Sequence, residues 1–222
     1  MVEENKKQKI PRGYKETKVG WIPEEWECPS VLNACNVIVS PVDKKTKEGE
    51  SLVQLCNYTD VYDNKRITSA LDFMKASASK REIQKCALRK GDVVITKDSE
   101  TPNDIGVPTF IAEDIDNLVC GYHLTILRSK SCLLGEYLSY ILQLHIIQYE
   151  FFRFAAGVTR FGLTADTYKQ VQLPLPSLPE QKKIAQILSK WDEGIDKTEK
   201  LIEAKKKLKK GLMQELLTKG IG

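Results

Sequence analysis

Two polar segments contain the side chains best suited to binding a ligand by hydrogen bonds. The first follows a β-branched run and supplies Lys97, Ser99, Thr101 and Asn103. The second lies between the glycines at 157 and 162 and supplies Thr159 and Arg160. Lysine, arginine, hydroxyl and amide groups match the base edges and phosphate oxygens of DNA. We therefore predict that both segments are loops that contact nucleic acid.

Other basic residues outside the C-terminal tail fall mainly in predicted loops. They include Lys44, Lys45, Lys47, Lys65, Arg66, Lys80, Arg81, Arg89 and Lys90. Of these, Lys65 and Arg66 are predicted as further DNA contacts. The alternative for each basic group is a solvated surface charge. For Arg160 the alternative is a tight glycine turn in which the guanidinium forms a structural ion pair.

A metal-dependent nuclease is the first catalytic alternative. Asp92, Asp98, Glu100 and Asp104 supply carboxylates near Lys97, and such clusters can hold Mg²⁺. Acidic residues at strand ends are more often turn-formers, so this interpretation is weaker. No metal site is predicted, since the two histidines, His123 and His145, stand alone and no C-x-x-C pair occurs.

Other catalytic motifs are missing from the sequence. No two prolines are adjacent, which excludes the Asn/Asp-Pro-Pro-aromatic motif of adenine methyltransferases. The G-x-x-x-x-G-K-[ST] loop that cradles ATP phosphates is missing as well. Neither histidine is a credible base for serine or cysteine hydrolysis. The sequence therefore predicts a non-catalytic chain.

Charge is distributed unevenly along the 222 residues. Residues 181–222 hold 11 of the 34 basic and 6 of the 30 acidic side chains, which leaves 23 basic against 24 acidic in residues 1–180. A nearly neutral main domain does not by itself indicate DNA binding. This leaves open a second binding function, in which the chain is a scaffold or decoy for protein partners only.

Composition predicts a globular cytoplasmic protein. The chain is 41% hydrophobic and 29% charged. It has no apolar run of about 18 residues for a membrane span, and its first residues lack the apolar segment of a signal peptide. The six cysteines are expected to be reduced and mostly buried.

Hydrophobic periodicity predicts an α+β domain. Strands are expected at 51–56, 91–96, 107–111, 118–127 and 167–173, and a packed helix at 133–154. Residues 1–12 are expected to be flexible. Two tryptophans, Trp21 and Trp26, predict an irregular entry segment held on the core by aromatic burial. The domain is predicted to span residues 13–176.

One long helix is predicted after the prolines at 174, 176 and 179. Ser177 and Glu180 form a capping-box pattern, and no proline follows the last of these three. An apolar stripe then recurs at steps near 3.5 residues: Ile184, Leu188, Trp191, Ile195, Ile202, Leu208, Leu212 and Leu216. A helix over 177–218 would extend roughly 60 Å and needs a partner for part of this stripe. The alternative is a solvated tail, which explains the lysines but not the leucines.

Four motifs resemble the specificity subunits of type I restriction–modification enzymes. They are G-Y-K at 13–15 with G-W-I-P-E-E-W at 20–26, K-G-D-V-V-I-T at 90–96, L-P-L-P-S-L-P-E-Q-K-K-I at 173–184, and E-L-L-T at 215–218. The third is the most specific. Lys97 stands where this family more often has arginine. Most such subunits contain two recognition domains and two long helices, whereas no second copy of the entry or exit motif is found here.

The resemblance implies one target recognition domain, followed by a helix that pairs as an antiparallel coiled coil. It implies a DNA-binding specificity subunit that directs methyltransferase (modification) and restriction subunits to a bipartite site. S-adenosylmethionine, ATP and Mg would then be bound by those partners, and no cofactor by this chain. With one domain and one helix, a homodimer is the simplest way to rebuild the two-domain arrangement.

Overall fold

The computed structural model describes residues 10–101, 104–157 and 159–221. The strands in these ranges are β1 (Tyr14–Thr17), β2 (Gly20–Pro23), β3 (Cys35–Val39), β4 (Ser51–Cys56), β5 (Arg66–Ile67), β6 (Met74–Ala78), β7 (Val93–Thr96), β8 (Asp98–Ser99), β9 (Pro108–Ile111), β10 (Leu118–Cys120), β11 (Leu124–Ser129) and β12 (Phe161–Gly162). The helices are α1 (Val31–Ala34), α2 (Tyr58–Asp63), α3 (Lys80–Cys86), α4 (Gly135–Ile141), α5 (His145–Phe154), α6 (Ala165–Gln170) and α7 (Leu178–Lys219). The predicted α+β class is confirmed.

Two sheets enclose a shared hydrophobic core. A five-stranded sheet has the order β3-β11-β7-β9-β5, and a three-stranded sheet has the order β10-β4-β6. Every residue of β7 and β9 is buried, as expected for strands covered on both faces. Val94, Leu124 and Ile126 of the larger sheet belong to the same buried cluster as Leu55 and Leu118 of the smaller sheet. Burial of these side chains is the main stabilising contribution to the domain.

The predicted strand at 118–127 is divided between the two sheets. Leu118–Cys120 pairs in parallel with β4, whereas Leu124–Ser129 pairs antiparallel with β3 and β7. Gly121 stands at the division and donates its N–H to the Cys56 carbonyl oxygen at 2.9 Å. A Cβ at this position would lie 2.8 Å from that oxygen, so the close backbone approach requires glycine.

The predicted helix at 133–154 is two helices, α4 and α5. The Gln148 side chain donates to the carbonyl oxygens of Leu142 and Gly106 at 2.6 and 3.0 Å. It therefore satisfies a carbonyl group at the end of α4, where the helix would otherwise continue. The apolar spacing that predicts one helix is compatible with a short turn, because both helices bury their apolar faces.

The predicted strand at 167–173 is wrong. Thr164 caps α6 by accepting from the Thr167 N–H at 3.4 Å, and the Thr167 side chain reaches back to the Thr164 N–H at 3.1 Å. This reciprocal cap starts a helix in a β-branched segment. Tyr168 is buried in α6 and donates its hydroxyl to Thr125 at 3.0 Å.

The entry segment also differs from the prediction. Residues 14–23 form the β1–β2 hairpin rather than an irregular stretch. Trp21 is 39% exposed, and Ile22 is the buried residue of the hairpin. The segment 1–12, which is predicted to be flexible, lies largely outside the described residues.

Among the six cysteines, Cys35, Cys56, Cys86 and Cys120 are buried, Cys28 is half-buried and Cys132 is exposed. The expected burial is confirmed for four of them.

The proline-rich exit pairs with the entry of the domain. Glu27 and Leu175 exchange two backbone hydrogen bonds of 2.9 and 2.8 Å. Gln181, in the first turn of α7, is fully buried. Its amide donates to the carbonyl oxygens of Cys132 and Pro176 at 2.9 Å each, and its oxygen accepts from the Leu134 N–H at 2.8 Å. The glutamine of the exit motif therefore fastens the start of the long helix.

The chain divides into two compact units, the first ending at Lys182 and the second beginning at Lys183. The second unit is a single helical segment, and α7 runs from Leu178 to Lys219. The predicted long helix is confirmed, with its end within one residue of the expected position. In the described part of the chain, no helix has the length and apolar character that crossing a bilayer requires.

Candidate nucleic-acid interface

The two predicted loops meet in a two-stranded ribbon. β8 and β12 pair antiparallel, with Ser99 opposite Phe161 and Asp98 opposite Gly162. The backbone N–H of Leu163 also donates to the Lys97 carbonyl oxygen at 3.0 Å. Side chains about 60 residues apart in the sequence are thereby placed next to each other.

The second loop is closed at its base and requires glycine at position 157. Ala156 and Gly162 exchange hydrogen bonds of 3.0 and 2.8 Å. Gly157 has a φ of +137°, and a Cβ there would lie 1.9 Å from the Arg160 carbonyl oxygen. A side chain at 157 would therefore displace the backbone that presents Arg160.

Arg160 and Glu100 face each other beyond the paired residues of the ribbon. Arg160 Nη2 lies 3.8 Å from Glu100 Oε1, and the two side chains are 61% and 82% exposed. A contact this long and this open is a weak surface ion pair. Both groups remain accessible to a ligand.

A cleft of about 470 Å³ opens beside the ribbon. Its lining is mostly polar and comes from five separate stretches of chain: Lys44, Tyr58, Thr59, Asp98, Ser99, Glu100, Thr101, Asp104, His123 and Arg160. Two of these side chains are basic and three are carboxylates. The cleft therefore offers many hydrogen-bonding groups without an excess of positive charge.

Two hydroxyl groups, one of them in the cleft lining, converge on the Asp104 carboxylate. Thr101 donates its hydroxyl to the Asp104 carboxylate, and Tyr62 donates to the other carboxylate oxygen at 2.9 Å. This bond raises the pKa of the Tyr62 phenol. Tyr58 stacks on Tyr62 with ring centroids 5.8 Å apart. Burial raises the pKa of Tyr58 as well.

Asp98, another lining residue, contacts two groups that can carry positive charge. Its Oδ2 atom lies 2.8 Å from Lys97 Nζ and 3.2 Å from His123 Nδ1. The Lys97 ammonium also lies 5.0 Å from the centre of the Tyr122 ring, and its side chain is only 14% exposed. Lys97 is therefore held within the protein and supports Asp98, whereas Ser99 and Thr101 reach the cleft.

The remaining predicted site residues are elsewhere. Lys65 and Arg66 are not among the residues that line the cleft. Arg66 lies on β5, bonds to Glu136 at 2.8 Å and stacks over Phe110. Thr159 is exposed in the glycine loop. Asn103 lies outside the described residues.

The four carboxylates of the nuclease hypothesis do not act as one group. Asp92 is buried and accepts from Arg128 Nε and Nη2 at 2.8 and 2.7 Å. Its charge is compensated by arginine, away from Asp98 and Asp104 in the cleft lining. Across the described ranges, no three His, Cys, Asp or Glu side chains are grouped in a way that could hold a metal ion.

The cleft lining also includes Lys44, Tyr58, Thr59 and His123, none of which was predicted as a site residue. Tyr62 does not line the cleft but stacks on Tyr58 and bonds to Asp104. Tyr58 and Tyr62 are spaced i, i+4 behind Asn57, whose capping box with Asp60 begins α2. That spacing and cap were available in the sequence. The position of His123 was not, because it depends on the division of 118–127 between two sheets.

The family model described as the type I restriction modification DNA specificity domain matches residues 41–207. The MjaX type I restriction enzyme specificity subunit of Methanocaldococcus jannaschii is 30% identical over 211 residues, which cover 94% of this chain and 49% of that protein. The chain thus spans about half the length of this curated relative.

Two solved structures share the fold. A chain from a structure of the type I R-M system, described in terms of complex assembly and conformational transition, matches with a TM-score of 0.62 and 19% identity. That match covers 90% of this chain and 47% of the other. The HsdS subunit of Thermoanaerobacter tengcongensis matches with a TM-score of 0.58 and 22% identity, covering 90% and 46%. Both matches place the present fold on about half of a longer chain.

Proposed function

This chain belongs to the type I restriction modification DNA specificity domain family, and from that premise we propose that it is a non-catalytic subunit that recognises a short DNA sequence. Its proposed partners are double-stranded DNA, methyltransferase (modification) subunits and restriction subunits. Because its proposed target is DNA, we propose that it acts in the cytoplasm. S-adenosylmethionine, ATP and Mg are assigned to the partner subunits.

The observation that carries the DNA-reading role is the β8–β12 ribbon. The major groove of B-DNA admits a two-stranded β-ribbon. This ribbon carries Ser99, and next to it Glu100 and Arg160, at the edge of a cleft of about 470 Å³. Hydrogen-bond donors and acceptors are therefore grouped on the kind of element that the major groove admits.

The charge of the cleft suits it to distinguishing between bases rather than to supplying most of the affinity for DNA. Phosphate contacts supply most of the salt-dependent affinity for DNA, and they need lysine or arginine. Within the cleft, Lys44 and Arg160 are outnumbered by three carboxylates. Exposed Lys45 and Lys47 continue the basic segment beyond the cleft. We assign phosphate contacts to this segment, and to Lys65 and Arg66 on a separate part of the domain.

The long helix is proposed to pair with a second copy of itself and to carry the methyltransferase subunits. Along α7 the apolar side chains Trp191, Ile195, Leu208 and Leu216 are between 48% and 70% exposed. Exposed apolar surface of this extent favours a partner. In a two-fold dimer both domains would read the same bases, so the target would be an inverted repeat with a fixed spacer.

Selection from random duplex DNA tests the proposed function. We expect the full chain with a bound type I methyltransferase subunit to enrich a defined sequence, and the chain alone to bind mixed-sequence duplex at low salt. A scaffold for protein partners alone, which the near-neutral charge of residues 1–180 favours, would give neither result. Methyl transfer or DNA cleavage by the chain alone would contradict the non-catalytic assignment.

A further inference from the structure

We propose that Arg160 and Glu100 together read one G·C base pair, with the guanidinium on guanine and the carboxylate on cytosine. The inference rests on the proposed function of the chain and identifies what one part of the site recognises. Ser99 lies opposite Phe161 in the ribbon, so Glu100 and Arg160 follow as neighbours on the two sides.

The openness of the pair distinguishes it from the other charged contacts of the site. Arg160 Nη2 and Glu100 Oε1 are 3.8 Å apart, with side chains 61% and 82% exposed. By contrast, the Lys97–Asp98 contact is 2.8 Å long and both side chains are less than a fifth exposed. A weak surface pair can turn toward a ligand at little cost.

Hydrogen-bond chemistry selects the base pair. In the major groove guanine presents two acceptors, O6 and N7, and cytosine presents one donor, the N4 amino group. The planar guanidinium of Arg160 can donate to both acceptors, and the ionised carboxylate of Glu100 can accept from the amino group. Guanine O6 and cytosine N4 belong to the same pair and are adjacent, as are the two side chains. An A·T pair would leave part of the guanidinium unmatched.

Glu100 also contributes to specificity by repulsion. A carboxylate carries the same charge as the DNA backbone, so it opposes binding wherever no amino group meets it. Its net effect is expected to be favourable at the correct pair and unfavourable elsewhere. This explains how an acidic residue can belong to a DNA-reading site.

The test is sequence selection with the complex of the full chain and a methyltransferase subunit. We compare the wild type with Arg160→Ala, Glu100→Gln and the double variant. Arg160→Ala should weaken binding to the selected site by about 5- to 140-fold, the range expected for one bidentate base contact. Both single variants should lose preference at the same G·C position and keep it elsewhere, and the double variant should not relax a second position.

A matched ion pair on α6 provides the control. Lys169 and Asp166 are 3.1 Å apart and 59% and 84% exposed, and neither lines the cleft. Lys169→Ala and Asp166→Asn repeat the two charge changes on the same domain and should leave the selected sequence unchanged. Thermal unfolding of each variant confirms an intact domain.

The outcomes separate the inference from the proposed function. If the wild type enriches a sequence but the two variants relax different positions, an A·T pair or none, the base-pair assignment is overturned and sequence recognition stands. If the wild type enriches no sequence, recognition itself fails and the assignment fails with it. If the α6 control variants lose the same preference at the G·C position, the effect is one of general charge, and the base-pair assignment is overturned.

Discussion

Arg128 holds the Asp92 carboxylate through two short hydrogen bonds, and this pair illustrates how charge is used for stability at the level of single residues. The Asp92 side chain is 3% exposed, and the hydrogen bonds that Arg128 donates to it raise the pKa of Arg128. Arg128 also donates to the Ala87 carbonyl oxygen at 3.0 Å. Asp92 in turn accepts the Arg89 N–H at 3.0 Å. The aspartate of the K-G-D-V-V-I-T motif is therefore structural.

Arg128→Met should destabilise the domain strongly. The change leaves the Asp92 carboxylate buried without its cation, for which about 3–5 kcal/mol of unfolding free energy is expected to be lost. Urea unfolding of the purified chain measures the effect. Lys169→Ala, which removes an exposed ion pair, should cost less than about 1 kcal/mol. Equal costs for the two variants would show that the Asp92 pair contributes no more than a surface contact.

At the level of elements, two local sets of hydrogen bonds hold the proposed interface and the first turn of α7 in place. The first is the glycine loop at 157–162, closed by the Ala156–Gly162 bonds. The second is Gln181, which joins the first turn of α7 to the loop before α4 and to the proline-rich exit. The first depends on Gly157, where a side chain would clash with the backbone. The second depends on Gln181, whose side chain makes three hydrogen bonds.

Gly157→Ala should impair DNA selection while leaving the domain folded. The new Cβ would approach the Arg160 carbonyl oxygen to 1.9 Å, so the loop must move and Arg160 with it. We expect weaker binding to the selected site, measured by gel shift. Gly49→Ala is the control, because Gly49 also has a positive φ (+86°) but has open space around it. If both variants bind alike, the loop geometry does not matter for recognition.

Gln181→Ala should lower the unfolding free energy of the first unit by about 1–3 kcal/mol. The change removes three hydrogen bonds and leaves the Leu134 N–H and two carbonyl groups without this partner. Gln186→Ala, an exposed position on the same helix, should have little effect. Urea unfolding compares them, and a neutral result for Gln181→Ala would mean that water replaces the side chain.

On the scale of the whole molecule, the excess of basic charge and the exposed apolar stripe both lie in the C-terminal tail. Residues 1–180 are nearly neutral, whereas residues 181–222 carry an excess of five basic groups. The same tail exposes its apolar stripe, including a shallow groove of about 360 Å³ lined by Leu208, Leu212, Leu216 and their neighbours. Apolar contact with lysines alongside is suited to a helical partner.

The full chain is expected to sediment as a dimer. Pairing along about 40 helical residues would cover the exposed stripe, and Ile195→Lys with Ile202→Lys should weaken it by placing charge in the contact. Deleting residues 185–222 should give a monomer that still binds DNA weakly. A wild-type monomer that reads one asymmetric site with its methyltransferase bound would contradict the dimer.

Local pattern in the sequence was enough to predict several elements. β4, β7 and β9 follow from alternation or β-branched content, and α7 follows from its apolar spacing and the prolines before it. These properties depend on neighbours within one or two turns, so they can be inferred without the fold. The segments at 97–103 and 157–162 were identified in the same way, from residue types suited to hydrogen bonding.

Only the tertiary structure decided how these parts meet. The pairing of β8 with β12 joins segments about 60 residues apart, and it selects Glu100 as the neighbour of Arg160. Tertiary packing also brings His123 to Asp98 and the Tyr122 ring to the Lys97 ammonium, which no local pattern indicated. The division of 118–127 at Gly121 places His123 in the cleft. Such contacts depend on strand register and packing between distant segments, and many pairings are compatible with one local pattern.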